Sequence, residues 1–320
     1  MKLLTLEVFY VIVGAMLALV AGRIARDPAH PRRWGSALFW ALLAVVFLGG
    51  KILPPAVVGY LVLAMVVLAS LRQVGSSTEK STTRAERAAE ADRLENRLLW
   101  PALLIPATAV AGTLVLDKIH LGDVWLMEPK QAALISLGLG ALLALAAALR
   151  TTGAGVTAPV QEGGRLLQTI GWALVLPQLL AALGGIFSQA GVGVVVADLV
   201  TRALPTQFPV VAVAAYCLGM ALFTICMGNA FAAFAVITGG IGLPLIVQQH
   251  GGNPAIMAAI GMLSGYCGTL LTPMAANFNL VPAMLLELSD KNAVIKAQAP
   301  IAAVILTANI ALMYFCVYCF

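Results

Sequence analysis

Residues 210–247 read VVAVAAYCLGMALFTICMGNAFAAFAVITGGIGLPLIV and contain no charged side chain. They lie in a longer stretch, from 203 to 286, that has no Asp, Glu, Lys or Arg and a single imidazole, His250. An α-helix needs about 20 mostly apolar residues to cross the hydrocarbon core of a bilayer. The stretch is therefore long enough for several crossings, and it indicates membrane-spanning helices instead of the core of a soluble domain.

The composition of the whole chain points the same way. Hydrophobic residues make up 61% of the 320 residues and charged residues only 10%, whereas an ordinary soluble domain has roughly 25% charged residues. We therefore predict an all-α, polytopic membrane protein with about 8–10 transmembrane helices in the lipid bilayer. The net charge of +5 is assigned to cytoplasmic loops, so nucleic acid is not an expected partner.

Five spans are predicted in the first half of the chain from its hydropathy. Positive charges cluster after the first of them, from Arg23 to Arg33, and after the third, from Arg72 to Arg97. Such loops stay in the cytoplasm, so we expect a bacterial cytoplasmic (inner) membrane protein whose N-terminus lies outside. The predicted spans are 3–22, 35–50, 54–71, 98–116 and 131–149.

A single long polar stretch, GSSTEKSTTRAERAAEADRLENR at 75–97, interrupts the apolar segments. Its composition predicts a cytoplasmic linker followed by a solvated, charged helix. Farther along the chain, proline and glycine interrupt the apolar sequence and favour non-helical backbone at membrane depth. The predicted segments are a three-helix N-terminal membrane segment (1–74), the charged linker and helix (75–97), and a transport-like membrane region (98–320) with a re-entrant hairpin at about 166–190 and broken helices at about 228 and 273.

Two polar interruptions divide the uncharged stretch. Gly228 precedes Asn229 at the first, and Pro273 follows Thr272 at the second. Glycine relaxes backbone sterics and proline removes an N–H donor, so both positions favour an unwound helix. An unwound point exposes N–H groups on one half-helix, which suit an anion, and C=O groups on the other, which suit a cation.

These interruptions predict a site for a solute and a coupling ion that is built from neutral groups. Na⁺ held by neutral oxygens is the candidate ion, and no other cofactor, metal site or catalytic residue is predicted. The alternative is that small and polar residues only pack helices together, and that Ser188 only caps a helix. The predicted binding residues are Gly228, Asn229, Thr269, Thr272, Asn277, Asn279, Ser188 and Gln189.

An intramembrane enzyme is a weaker alternative. Ser264 lies in the string GMLSGY, but a G-x-S-x-G elbow and a His or Asp in a nearby span to activate the hydroxyl are missing. The chain also lacks the G-x-x-x-x-G-K-[ST] motif of ATP-binding proteins. We therefore expect a protein that is not an enzyme, and transport driven by an ion gradient.

Three strings in the second half resemble a bacterial membrane family, that of domain of unknown function 979. They are MGNAFAAFAVITGGIG (227–242), GGNPAIMAAIGMLSGYCGTLLTPMAANFNLVPAMLLE (251–287) and VIKAQAP (294–300). Members look like permease components and are similar in outline to the ion-transporter superfamily, whose carriers use repeats with a re-entrant hairpin and a broken helix. The resemblance also implies a second membrane protein as partner and a link to 5-oxoproline metabolism.

The leading hypothesis is a subunit of a bacterial secondary transporter for a small organic anion or an amino-acid derivative, with 5-oxoproline as a candidate. A second small membrane protein would supply the other half, because clear front-to-back symmetry is missing from the chain; a homo-oligomer is the other arrangement considered. The alternative class is a non-transporting assembly or regulatory subunit, for which the charged stretch 75–97 would be the working surface.

Overall fold

The computed structural model describes residues 2–77, 82–121 and 124–319. The chain forms two compact units that divide between Gly171 and Trp172. Nearly all of the regular structure is helical, as the sequence predicts.

The first unit contains seven α-helices and three short strands within its described residues. In chain order they are β1 (Lys2–Leu4), α1 (Leu6–Arg26), α2 (Arg33–Gly49), α3 (Pro55–Ser70), α4 (Arg84–Leu94), α5 (Leu99–Leu114), β2 (His120–Leu121), β3 (Val124–Met127), α6 (Ala132–Thr152) and α7 (Ala158–Ile170). The five predicted spans correspond to α1, α2, α3, α5 and α6, with ends within four residues of those expected from hydropathy.

Small residues allow the helices of this unit to approach each other closely. A Cβ at Gly112 of α5 would collide with the side chain of Ser136 on α6, and one at Gly14 of α1 would lie 2.6 Å from Cγ of Leu48 on α2. Close approach at small residues is the usual way that helices pack where lipid removes the hydrophobic driving force. The three strands form a small sheet in the order β1-β3-β2, with β1 parallel and β2 antiparallel to β3.

The charged stretch that was predicted to hold a solvated helix contains α4. Thr83 and Glu86 form a reciprocal capping box, in which Oγ1 of Thr83 accepts from the Glu86 N–H at 3.2 Å and Glu86 accepts from the Thr83 N–H at 2.7 Å. This backbone hydrogen bond holds the pKa of the Glu86 carboxyl below its usual range. Most residues of α4 are exposed, and the part of the linker at 78–81 lies outside the described residues.

The second unit consists of helices. They are α8 (Leu176–Gln189), α9 (Val192–Ala203), α10 (Pro209–Met227), α11 (Ala230–Ile237), a π-helix (Thr238–Gln249) that continues α11, α12 (Pro254–Thr269), α13 (Leu280–Leu285) and α14 (Ala293–Cys319). The π-helix contains Pro244, and a proline cannot donate the backbone bond that an α-helix requires at that position.

The core of this unit lies where α10, the continuous helix formed by α11 and the π-helix, α12 and α14 meet. Tyr216 of α10 is fully buried, and its hydroxyl shares a hydrogen bond of 2.8 Å with Oγ1 of Thr238. Two glycines of α12, Gly261 and Gly265, face Tyr216 and Met220 of α10 so closely that a Cβ on either would clash. The glycines of GMLSGYCG therefore set the distance between α10 and α12.

The stretch predicted as a hairpin, 166–190, comprises the end of α7, a 3₁₀ turn at Gly171–Val175, and α8. In the second unit, Gly184 of α8 packs against Ala232, and Gly193 of α9 packs against Gly240. Both α8 and α9 therefore pack along the helix that begins at Ala230. Re-entry of this stretch into the membrane stays a prediction.

Large apolar side chains cover the outside of many helices. Val194 is 74% exposed and Val304 is 70% exposed, and similar residues recur on nearly every long helix. A soluble protein would not leave so much apolar surface in water. The described residues also include two shorter apolar helices, α2 and α3. Seven further helical stretches in the described part of the chain are long and apolar enough to cross a membrane: Leu6–Arg26, Ala85–Leu114, Ala132–Thr152, Ala158–Gln189, Pro209–Met227, Ala230–Gln249 and Ala293–Cys319. The protein is a multi-pass helical membrane protein.

Candidate functional site

The first predicted break is a true helix end. Helix α10 stops at Met227, and Gly228 follows it with a φ of +68°, a left-handed conformation that favours glycine. The Gly228 N–H still donates to the carbonyl oxygen of Thr224, which closes the last turn. Glycine at this position ends the helix, as the sequence predicts.

The two predicted breaks meet in space. A Cβ at Gly228 would lie 2.6 Å from the carbonyl carbon and oxygen of Met274. Met274 follows Pro273 in the second break, so the two segments are in direct backbone contact. Glycine is therefore required at 228 for its backbone angle and also for this approach.

Asn229 begins the next helix. Its Oδ1 accepts hydrogen bonds from the N–H groups of Phe231 at 2.9 Å and Ala232 at 3.4 Å, which makes it the N-cap of α11. Its Nδ2 has no hydrogen-bond partner among the described residues, and neither has the N–H of Ala230. Because the helix continues for 20 residues to Gln249, its N-terminus carries a partial positive charge.

The second break is organised by Asn279. This side chain is fully buried, and its Nδ2 donates to the carbonyl oxygens of Thr269 and Thr272, both at 2.7 Å. These are backbone groups left over where α12 ends at Thr269, so Asn279 replaces the missing helical bonds. Its Oδ1 is buried without a hydrogen-bond partner in the part of the chain that the structure describes.

Thr272 and Asn277 have different roles in the same loop. Oγ1 of Thr272 is buried and accepts from the N–H of Met274 at 3.2 Å, which stabilises the turn after Pro273. Asn277 is exposed, and within the described residues its side chain makes no hydrogen bond. Thr272 therefore shapes the loop, whereas Asn277 presents a free amide.

A cavity of about 260 Å³ lies where the two breaks meet. This is a little below the roughly 300–1,000 Å³ of pockets for drug-sized ligands, so it suits a small solute. No side chain that is charged at neutral pH lines it, and its polar groups are two amides, the hydroxyls of Tyr266 and Thr269, and backbone. The lining residues are Pro177, Leu180, Gly228, Asn229, Ala230, Phe231, Tyr266, Thr269, Met274, Ala276, Asn277 and Phe278.

The structure brings together four of the predicted residues in this cavity, namely Gly228, Asn229, Thr269 and Asn277. Thr272 and Asn279 support the loop from behind, as described above. Ser188 and Gln189 are exposed at the C-terminal end of α8, whereas α8 lines the cavity with Pro177 and Leu180 near its N-terminal end. The two groups of α8 residues are separated by more than two turns of helix.

Sequence reasoning missed the aromatic wall of the cavity. Phe231 and Tyr266 meet edge to face, with ring centroids 6.3 Å apart, and Phe278 lies beside Asn277. Aromatic residues next to helix ends are common in apolar sequence, so nothing in the sequence distinguishes these three from packing residues. The cavity therefore combines an aromatic wall with a few neutral donors, a combination typical of small-molecule sites.

The serine considered for an enzyme lies elsewhere. Ser264 is fully buried on the face of α12 that packs on α10, and its hydroxyl donates to the carbonyl oxygen of Ile260 at 2.9 Å. This is a hydrogen bond within its own helix, of the kind that satisfies a buried hydroxyl.

A family model described as "protein of unknown function (DUF979)" matches residues 7–318. No curated protein matches the sequence. Among solved structures, the chain is similar to MtrF of Neisseria gonorrhoeae, described as illuminating a class of antimetabolite efflux pumps, with 17% identity and a TM-score of 0.40. That match covers 96% of this chain and 62% of MtrF, so the chain spans less than two thirds of the length of MtrF. The match over residues 7–318 places this chain in the DUF979 family.

Proposed function

We propose that this chain is a subunit of a bacterial inner-membrane transporter for a small organic anion or an amino-acid derivative, with 5-oxoproline as the first candidate. The observation that carries the proposal is the meeting of two interrupted helices around one uncharged cavity. Interrupted helices place unpaired backbone groups inside a membrane protein, and such groups are tolerated where other protein groups satisfy them or where they line a cavity.

The cavity offers donors to an anion without offering a fixed charge. The N–H of Ala230 and the Nδ2 of Asn229 lie at the positive end of a long helix, and Asn277 adds a free amide. A carboxylate bound there would be stabilised by the helix dipole and by neutral hydrogen bonds. Since no lysine or arginine holds it, the solute could also leave, and a carrier requires release as much as binding.

The proposed coupling ion is Na⁺. Neutral carbonyl and amide oxygens, such as the buried Oδ1 of Asn279, are ligands that suit a hard cation. Residues 203–286 contain no carboxylate that could carry a proton, so a Na⁺ gradient is easier to build into this region than a proton gradient. In the same proposal a second membrane protein supplies the other half of the transporter, and the N-terminus lies outside.

The test is solute uptake into proteoliposomes that contain the purified chain, alone and with its candidate partner. Radiolabelled 5-oxoproline and a panel of small carboxylates would be offered with and without an inward Na⁺ gradient. We expect Asn277→Ala to lower the uptake rate by about tenfold, which corresponds to about 1.4 kcal/mol, because the variant removes a free amide from the cavity.

Asn229→Ala needs a control for the loss of a helix cap. Asn253 caps α12 with the same geometry as Asn229, accepting from Ala255 at 2.9 Å and Ile256 at 3.4 Å, but it does not line the cavity. Asn253→Ala should therefore destabilise the protein as much as Asn229→Ala and leave uptake unchanged. Wild-type rates in both Asn277→Ala and Asn229→Ala, in protein that inserts normally, would reduce the cavity to a packing feature.

A further inference from the structure

The first unit contains a separate polar cavity, which we call the α1–α7 pocket. It has a volume of about 210 Å³ and lies where the end of α1 meets α7 and the loops that follow α1 and α3. Val20 and Ile24 of α1 and Val160 of α7 supply the apolar part of its lining, and most of the remaining lining residues are polar. The lining residues that matter here are Arg23, Asp27, His30, Ser77, Gln161 and Gln168.

His30 lines this pocket and carries a hydrogen-bond donor. The residue is only 5% exposed, and its Nδ1 accepts from the backbone N–H of Arg32 at 3.2 Å. An imidazole that accepts at Nδ1 carries its hydrogen on Nε2. This Nε2 is buried and has no hydrogen-bond partner in the described structure. Glycine at position 75 leaves room for the ring, since a Cβ there would lie 3.0 Å from Cε1 of His30.

Gln168 lines the same pocket and carries a hydrogen-bond acceptor. It is 9% exposed, and its Nε2 donates to the carbonyl oxygen of Gly164 at 3.2 Å, one turn earlier on α7. This bond fixes the orientation of the amide and leaves Oε1 as the free acceptor. Among the described residues no group donates to Oε1.

A buried donor and a buried acceptor without partners, carried by two side chains that line one cavity, are both costly. Each unsatisfied group costs about 1–3 kcal/mol, and native structures normally satisfy such groups with protein, water or a ligand. Arg23 and Asp27, which have contacts of their own, add a positive and a negative charge to the same lining. The pocket therefore offers both signs of charge together with a donor and an acceptor.

We propose that the α1–α7 pocket binds a small zwitterionic group, in which an ammonium and an oxyanion are a few bonds apart. Oε1 of Gln168 accepts from the ammonium, and the Nε2–H of His30 donates to the oxyanion. The group is carried either by a free molecule, such as an amino acid, or by an ethanolamine lipid headgroup, because the apolar helix α1 ends beside the pocket, at Arg26. This site belongs to the first unit and stands whether or not the chain transports a solute.

The test uses the full chain with ¹³C-labelled histidine in nanodiscs of phosphatidylcholine and phosphatidylglycerol, whose headgroups lack an N–H donor. The chain has three histidines, and the His30 resonance is assigned by its absence in His30→Gln. Glycine and phosphoethanolamine are titrated as free zwitterions, and nanodiscs containing phosphatidylethanolamine provide the lipid arm. The control ligands are inorganic phosphate, which has the oxyanion but no ammonium, and methylammonium, which has the ammonium but no oxyanion.

We expect the His30 resonance to shift saturably with the free zwitterions, with phosphatidylethanolamine in the nanodiscs, or with both. Which of the two produces the shift identifies the source of the ligand. Gln168→Leu should weaken the apparent affinity by about fivefold, the effect of one hydrogen bond, whereas Gln207→Leu, at an exposed position in the second unit, should leave it unchanged. The His120 resonance, from the first unit, and the His250 resonance, from the second unit, report whether each unit of a variant is folded.

Three results would overturn the proposal. The first is a wild-type His30 resonance that shifts neither with the free zwitterions nor with phosphatidylethanolamine, which would show that only water occupies the pocket. This result overturns the proposal even if Gln168→Leu does not fold. The second is equal affinity in folded Gln168→Leu and wild type. The third is an equal response to phosphate or methylammonium alone, which would exclude a zwitterion as the specific ligand.

Discussion

Two places in the second unit have the same local chemistry and different surroundings. At Gly228-Asn229 and at Gly251-Gly252-Asn253, a glycine with a φ of about +70° ends one helix and an asparagine caps the next. A Cβ at Gly228 would strike the backbone of Met274, whereas a Cβ at Gly251 would meet nothing within 4 Å. Helix α14 also packs against the second place, where the Asn253 N–H donates to the carbonyl oxygen of Val317 at 2.8 Å. The comparison teaches that a helix break becomes a candidate site when it meets a second break at a cavity, as Gly228 does at Met274.

The largest expected effect separates the two glycines. Gly228→Ala should cost roughly 1–2 kcal/mol for the left-handed backbone and about 1–3 kcal/mol more for the collision with Met274. Gly251→Ala should incur only the backbone cost. Thermal unfolding of the purified proteins in one detergent would measure both changes, and equal melting temperatures would show that the contact with Met274 is not important.

The next largest effect sharpens the contrast within the second break. Asn279→Ala should destabilise the protein by about 2–3 kcal/mol, because it leaves the carbonyl oxygens of Thr269 and Thr272 buried with fewer donors. Asn277→Ala, in the same loop, should change stability by less than about 0.5 kcal/mol, because that side chain is exposed and unbonded. Unfolding in denaturant would measure both, and a reversed order would contradict the assignment of Asn279 as the residue that holds the loop.

The smallest expected effect on stability tests the comparison itself. Aspartate caps a helix as well as asparagine does, so Asn229→Asp and Asn253→Asp should both unfold at nearly the wild-type temperature. Only Asn229→Asp places a carboxylate in the cavity, where it should repel an anionic solute and lower uptake by at least about tenfold. Equal uptake by both variants in proteoliposomes would show that the anion does not pass through the cavity.

Much of the helical framework could be predicted from the sequence because its causes are local. The ends of α2, α3 and α5 follow from hydropathy, and the capping box at Thr83 and Glu86 follows from adjacent residue types. The ends of α10 and α12 were predicted from Gly228 and from the polar run that includes Pro273. Each of these features depends on chain chemistry within one or two helical turns.

The rest could not be predicted because its causes are distant in sequence. Nothing in the sequence near Phe231 or Tyr266 shows that their rings meet, or that Leu180 completes the same cavity. Ser188 and Gln189 look like suitable polar ligands in the sequence, yet they lie at the other end of α8 from the cavity-lining residues. His30 and Gln168 line one pocket although 137 residues lie between them in the sequence. His30 follows the first helix of their unit, and Gln168 lies in the last.

The sequence by itself determined that this is a multi-pass helical membrane protein, since apolar length and the scarcity of charge leave no other way to satisfy the backbone. It also predicted two helix ends in the uncharged stretch, at about 228 and 273, since glycine and proline act on their own backbone; in the structure the helices there end at Met227 and Thr269. Only the tertiary structure decided which of those ends meet. The reason is that the contact of Gly228 with Met274 depends on how α10 and α12 pack, and this packing is set by small residues that look alike in the sequence.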